Sequence, residues 1–258
     1  MMRSIIRSKS GRWILVALSL LFWIGVWWVC ALRVDKPWVL PTPVQVGRAL
    51  DTLLKDADFR AACIVTLGNM FKGWLWGVIA GGVLAVLTYR FALLEILFSP
   101  LLTVVRATPV ASFIMLLWVF LMKESVPSVA VSLIVFPIVY ANLYKGLLET
   151  DRKLLEVGKI HRFGPLRMAK YVYIPSVMPY FLSSLLTSLG LGWKAGVAAE
   201  VLCTPDGTVG KFLFLYKRDI LTAELFACTF CIIMICFVLE KLLAASVRML
   251  AGKRGYRL

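Results

Sequence analysis

The sequence has a single histidine, His161. That rules out metal sites built on several histidines and argues against a Ser-His-Asp triad. Acidic side chains are also scarce, with 14 Asp and Glu against 29 Lys and Arg, a formal charge of +15. The carboxylates are scattered, so they offer no paired acid/base set for an integral membrane enzyme such as an acyltransferase. No GxxxxGK[ST] loop is present. Gly158-Lys159, Gly210-Lys211 and Gly252-Lys253 lack its context, so the chain is not expected to bind ATP itself. The Cys228/Cys231 pair sits in an apolar run without a His or charged neighbour and reads as buried thiols. There is no internal repeat and no low-complexity tract. No catalytic residue and no metal site is expected.

What the chain does have is apolar residues, 60% of 258 positions. A soluble domain of this length rarely reaches that share. Crossing about 30 Å of hydrocarbon at about 1.5 Å per residue takes about 20 apolar residues. Six such runs can be marked, roughly 13–32, 61–88, 98–122, 126–147, 177–201 and 225–250, with kinks at Pro109 and Pro137. The whole of 1–258 is therefore read as one all-α transmembrane domain. Its Lys and Arg cluster between and beyond the runs, as the positive-inside rule expects, and not along one soluble face as nucleic-acid binding would need. About sixteen fall on the segments read as inner and about nine on the outer ones, which puts both termini in the cytoplasm. Trp23, Trp27, Trp28 and Trp38 read as interface anchors. From Thr42, the spacing of Val44, Val46, Leu50, Leu53 and Leu54 predicts a short amphipathic helix lying outside.

A basic island interrupts the apolar pattern: "LLEVGKIHRFGPLRMAKYVYIPSVMP", from Leu154 to Pro179. Asp151 is placed to cap a first short helix. Gly158 would let another backbone approach closely. Gly164-Pro165 breaks and restarts the chain, and a second helix, Leu166 to Tyr173, is expected to stop before Pro175. A helix-turn-helix on the inner face, over roughly 149–175, is a docking surface for a soluble partner.

The island resembles the EAA loop of the membrane subunits of binding-protein-dependent ABC importers. Glu156, Val157 and Gly158 stand at the triplet, and Val172, Ile174 and Pro175 at the apolar-x-apolar-Pro ending. The segments "LPTPVQVGRAL", "VVRATPVASFIMLLWVF", "GWKAGVAAEVL" and "DGTVG" resemble the nitrate, taurine and alkanesulfonate branch of that family. Two departures stand out. The triplet is EVG, and Arg162 occupies the family glycine's position, with Gly164 two residues later. Either Arg162 takes a left-handed conformation at about 1 kcal/mol, or the helix runs on to Gly164.

The resemblance implies a six-helix permease of the type I ABC importer architecture in the bacterial cytoplasmic membrane. It implies a second permease chain making a homodimer, two ATP-binding ABC subunits that carry the ATP and Mg, and an extracytoplasmic substrate-binding protein. No cofactor belongs to this chain. The solute expected is nitrate, a sulfonate, taurine or a similar anion; a vitamin precursor such as a thiamine pyrimidine is the alternative. Leu155, Glu156, Val157, Gly158, Arg162, Phe163 and Gly164 are expected to couple to the ATPase. Arg106, Lys194, Ser184, Thr187 and Glu200 are the candidate substrate path. Open alternatives are that Arg106 and Lys194 snorkel or pair with a carboxylate such as Glu95 or Glu200, and that the hydroxyls serve helix packing.

Overall fold

In hydrocarbon a backbone can satisfy its N–H and C=O groups only internally, so each apolar run folds as a helix. The computed structural model describes residues 9–253. The basic segments expected at 1–8 and 254–258 lie outside the described residues. The helices are α1 (Lys9–Val34), α2 (Pro43–Lys55), α3 (Ala57–Arg90), α4 (Ala92–Ala107), α5 (Val110–Phe120), α6 (Val126–Leu148), α7 (Arg152–Ile160), α8 (Pro165–Met168), α9 (Ile174–Cys203), α10 (Val209–Arg218) and α11 (Thr222–Lys253). Five described helical stretches are long and apolar enough to cross a membrane, namely 14–34, 57–90, 126–148, 165–203 and 222–249. A sixth arises if α4 and α5 are counted as one broken span.

That pair corrects the third expected span. It is no single helix over 98–122 but two helices bent by 108°. Pro109 offers no N–H to continue the ladder, and its ring pushes Thr108 to extended φ/ψ of −73° and 128°. The fifth span is corrected as well. Its helix does not stop before Pro175. It runs from Pro165 to Cys203 through a π-helical turn at Ala169–Tyr173. There the Ile174 N–H reaches back five residues to the Ala169 carbonyl, and the widened turn admits Pro175 without a break.

Two units can be described separately, one from the chain up to Arg60 with Phe212–Ile232, the other from Ala61–Lys211 with Ile233 onward. In the first, Trp27 Nε1 donates to the Pro41 carbonyl at 3.1 Å and the indole stacks on Phe226. Thr42 caps α2 reciprocally with Gln45, a T-x-x-Q capping box, and α2 buries Val46 and Leu53 from its apolar stripe. Of the 14–34 span only Ala31 is buried.

In the second unit α6 and α9 pair extensively. Val131 and Val135 of α6 pack directly over the bare backbone at Gly192 of α9. The same valines also face α3, where Gly73, Gly77 and Gly81 bring backbone against backbone. A Cβ on Gly77 would sit 2.7 Å from the Val135 Cβ. Leu84, Ala85, Leu102 and Tyr140 close a further core cluster.

Candidate functional site

The basic island folds as an exposed helix-turn-helix. Asp151 caps α7 by accepting from the Lys153 N–H at 2.8 Å. Within the 149–175 segment, α7 turns its apolar side outward. Leu154 and Val157 are each 47% exposed, Ile160 77%, and Leu166 on α8 87%. Glu156 is exposed among them and Leu155 is half-buried. Apolar side chains left in water beside charged ones mark a surface awaiting a partner.

The turn takes the first of the two conformations open to it. Arg162 stands at φ +52°, left-handed, and α7 ends at Ile160 without running on to Gly164. The Phe163 N–H donates to the Gly158 carbonyl at 2.9 Å and the Arg162 N–H to the Lys159 carbonyl at 3.0 Å. These two bonds form a Schellman motif with arginine at the position that favours glycine. Gly158 serves side-chain rather than backbone packing, since a Cβ there would meet the Met168 Sδ and Cε at 2.8 Å. Gly164 has open space around it and starts α8 as its extended N-cap.

Arg162→Gly should relieve the left-handed strain, partly offset by glycine's freedom in the unfolded chain, for a net gain of a few tenths to about 1 kcal/mol. Amide hydrogen exchange at Phe163 should slow by about two- to fivefold. Unchanged or faster exchange would show that the arginine side chain, and not the backbone, holds the turn.

The loop is anchored to the membrane helices by aromatic and charged groups. Tyr180 on α9 donates to the Glu149 carboxylate at the end of α6, and Lys145 lies 3.7 Å from the same group. Tyr89 and Tyr173 meet edge to face at 5.8 Å. Val172 is buried, so the segment following α8 is tied into the bundle.

The candidate path residues separate into two groups. Ser184 and Glu200 are fully buried, and Ser184 donates to the Phe181 carbonyl at 2.7 Å. Ser184 is bonded within α9, and Glu200 links α9 to α3 and α10. Thr187 and Lys194 are exposed, together with Ser183 and Leu191, which makes one stripe along α9. Thr187 donates to the Ser183 carbonyl at 3.1 Å. Arg106 is exposed and donates from Nη2 to the Pro137 carbonyl at 3.0 Å. Neither cation pairs with Glu95 or Glu200. Glu95 hydrogen-bonds Tyr144, and Glu200 is engaged elsewhere.

Glu200 accepts from Thr66 Oγ1 at 2.9 Å and from the Gly210 N–H at 3.2 Å. Thr66 Oγ1 in turn accepts from the Val209 N–H at 3.0 Å. The carboxylate thus meets the first N–H groups of α10, where the helix dipole favours negative charge. Gly210 is bare backbone because a Cβ there would strike the Glu200 Cβ. Outside the spans, Lys123 and Lys211 both contact Asp206 in the preceding turn and hold its carboxyl down at about 2.

Lys72 and Glu240 are further charges inside apolar runs, a signal the sequence carries for both. Lys72 lines an open cavity of about 380 Å³ with Asn69, Trp76, Glu124, Ser125, Ser128, Val129 and Ser132. Glu240 of α11 lies directly over Gly190 of α9 and accepts from the Cys236 thiol at 3.8 Å. The spacing Gly73-x₃-Gly77-x₃-Gly81 was also legible and is a known mark of close helix contact.

Residues 74–254 match the family described as "Binding-protein-dependent transport system inner membrane component". Among curated relatives is a Bacillus subtilis (strain 168) protein provisionally named aliphatic sulfonates transport permease SsuC. It is 28% identical over 255 residues, 96% of this chain and 90% of the relative. The taurine transport system permease protein TauC of Escherichia coli (strain K12) is 24% identical over 244 residues, covering 89% and 86%. The formylaminopyrimidine transport permease protein ThiX of Halalkalibacterium halodurans is 28% identical over 185 residues, covering 70% and 73%. A solved amino acid ABC transporter chain superposes with a TM-score of 0.61 at 18% identity, over 76% of this chain and 94% of that one.

Proposed function

Because the chain belongs to the family of binding-protein-dependent transport system inner membrane components, we propose that it is the permease subunit of an ATP-driven importer for a small organic or inorganic anion. The observation that carries this reading is the exposed helix-turn-helix of α7 and α8. Its apolar residues Leu154, Val157, Ile160 and Leu166 surround Glu156, a surface that a soluble ATPase would cover. Two permease chains pair, each docking one ATP-binding subunit through residues 154–164. ATP and Mg belong to those subunits, and a binding protein delivers solute from the other side of the cytoplasmic membrane. For ATP to drive transport it must bind one conformation of the assembly better than another. The continuous helix from Pro165 to Cys203 supports a lever role, because motion of the docked loop passes along one rigid element to the α9 stripe.

Similarity to the sulfonate and taurine permeases favours an anion. Similarity to the formylaminopyrimidine permease supports a second reading, a heterocyclic vitamin precursor. Ligand-dependent thermal shifts of the partner binding protein separate the two.

Glu156→Lys tests the docking surface. The substitution puts like charge into a basic island that the ATPase must cover, so co-purified ATPase should fall by at least about tenfold, or 1.4 kcal/mol. The spans should stay folded, because Glu156 is exposed. Undiminished ATPase with normal uptake would reject the assignment.

A further inference from the structure

Lys72 stands partway along an apolar helix, exposed and, among the described residues, without an ion-pair partner. The open cavity beside it is shared with Glu124 and Ser125 at the start of α6. The two helices touch directly at this level. A Cβ on Gly73 would strike the Ser128 carbonyl, and Ser128 Oγ donates to the Asn69 carbonyl at 3.0 Å. Glu124 is not tied down: Lys123 Nζ lies 3.9 Å from it but bonds Asp206 at 2.6 Å. The Ser125 side chain caps nothing. One cavity thus holds a cation and an anion, both exposed and neither closed on the other.

The contact at Ser128 fixes the depth of Lys72. From Ser128 to the end of α6 at Leu148 is a rise of about 30 Å. From Lys72 to the end of α3 at Arg90 is about 27 Å. Both rulers match the hydrocarbon thickness of about 30 Å. Since α6 ends beside the docking loop, Lys72 falls in the headgroup layer of the opposite membrane face. Beneath it, at helical spacing on one face of α3, come Trp76, Ile79 and Val83, which are 65%, 47% and 55% exposed. A small solute could fill the cavity but would leave that stripe uncovered. An apolar partner helix would cover the stripe but bury the lysine charge at a cost. A lipid meets both, with its phosphate at the cation, its ester region at the amphipathic indole and its chains on the stripe.

We propose that Lys72, Glu124 and Ser125 form a site for a phospholipid whose headgroup carries both a phosphate and a primary ammonium, as in phosphatidylethanolamine. The phosphate meets Lys72 Nζ and the Ser125 hydroxyl, and the ammonium meets the Glu124 carboxylate. Going inward from Glu124 through Lys72 and Trp76 to Ile79 and Val83, the side chains follow the order of parts in such a lipid. Glu124 is the selective residue, because it repels a headgroup that brings a phosphate and no cation. The site is independent of the transported solute and requires only that the chain spans a bilayer.

The test purifies the full chain from vesicles holding equal amounts of phosphatidylethanolamine and phosphatidylglycerol with identical acyl chains. Retained lipid is then counted by native mass measurement. Wild type should retain the ethanolamine lipid in an excess of about fivefold, the effect of one exposed ion pair. Lys72→Gln should lower retention of both lipids by a similar factor. Glu124→Gln should lower only the ethanolamine lipid and erase the preference. Arg90→Gln, at the other headgroup layer, is the control and should keep it. A wild-type chain without preference, a preference that survives Glu124→Gln, or a Lys72→Gln effect no larger than that of Arg90→Gln would each overturn the proposal. Soluble glycerophosphoethanolamine, the same headgroup without chains, should displace little lipid even in excess. Full displacement would mean that a free phosphate ester, and not a lipid, fills the cavity. If Lys72→Gln instead splits a pair of chains and leaves retained lipid unchanged, the face is an interface between copies and the lipid site falls.

Discussion

Gly77→Leu is expected to abolish accumulation of the folded chain. Gly73, Gly77 and Gly81 recur every fourth residue and so line one face of α3. At each of them α6 comes close enough to exclude a side chain. A Cβ on Gly77 would lie 2.8 Å from the Ser132 carbonyl oxygen, and one on Gly81 would lie 2.6 Å from that of Phe136. On Gly73 it would strike the Ser128 carbonyl. Lipid tails are as apolar as leucine, so no hydrophobic drive holds these helices together, and contact with hydrogen bonding must do it. Ser128 Oγ donates across the same contact to the Asn69 carbonyl at 3.0 Å. The atoms facing Gly77 are backbone and β-branched valine, which cannot swing aside. The cost should reach about 3 kcal/mol or more. Gly68→Ala on the same helix is the control. Nothing lies within 4 Å of its would-be Cβ, and alanine's helix propensity should leave it neutral or better by up to about 1 kcal/mol. Size-exclusion profiles and thermal melting in detergent distinguish the two. A Gly77→Leu chain that melts like wild type would refute the packing.

The spans were legible because a helix in hydrocarbon announces itself by length, and that signal is summed over many residues. Where a single residue decides, the sequence said less. Pro109 announced a kink, yet the size of the bend depends on Thr108 leaving the helical region, which no apolar count registers. Pro175 read as a stop because the sequence cannot display a π turn; the added residue in that turn is a matter of hydrogen-bond register. The helix-turn-helix of α7 and α8 was legible from the Gly164-Pro165 break, and Asp151 caps as its position predicts. Arg162 left two conformations open, and the Schellman bonds at Phe163 and Arg162 select the left-handed one. The candidate path fared differently. Ser184 and Thr187 are three residues apart and chemically alike, yet one is fully buried and the other exposed. Residue type carries no information about which side of α9 meets α6. Lys72 and Glu240 were overlooked although the same rule that singled out Arg106 and Lys194, charge within an apolar run, applies to them.

Glu200→Ala should be the most disruptive change near the 204–208 turn. The carboxylate is fully buried and takes two donors, Thr66 Oγ1 and the Gly210 N–H, that have no solvent to turn to. Removing it strands both, and also leaves a void between α3, α9 and α10. Each stranded donor costs about 1–3 kcal/mol and the void adds to it, for roughly 3–5 kcal/mol in all. The melting midpoint should then fall by on the order of 10 °C. Glu200→Gln keeps the shape and one acceptor oxygen, and should fall by well under half as much. Gly210→Ala attacks the same contact from the other side, since its Cβ would occupy the space of the Glu200 Cβ. Because both act on one junction, the double variant Glu200→Ala with Gly210→Ala should lose much less than the sum of the singles, with a coupling of about 1–3 kcal/mol. Strict additivity, or a Gly210→Ala chain with the wild-type midpoint, would mean that α10 is not held by this carboxylate. Limited proteolysis gives an independent reading: cleavage after Lys211 should rise in the singles, because an N-terminus of α10 released from Glu200 frays first.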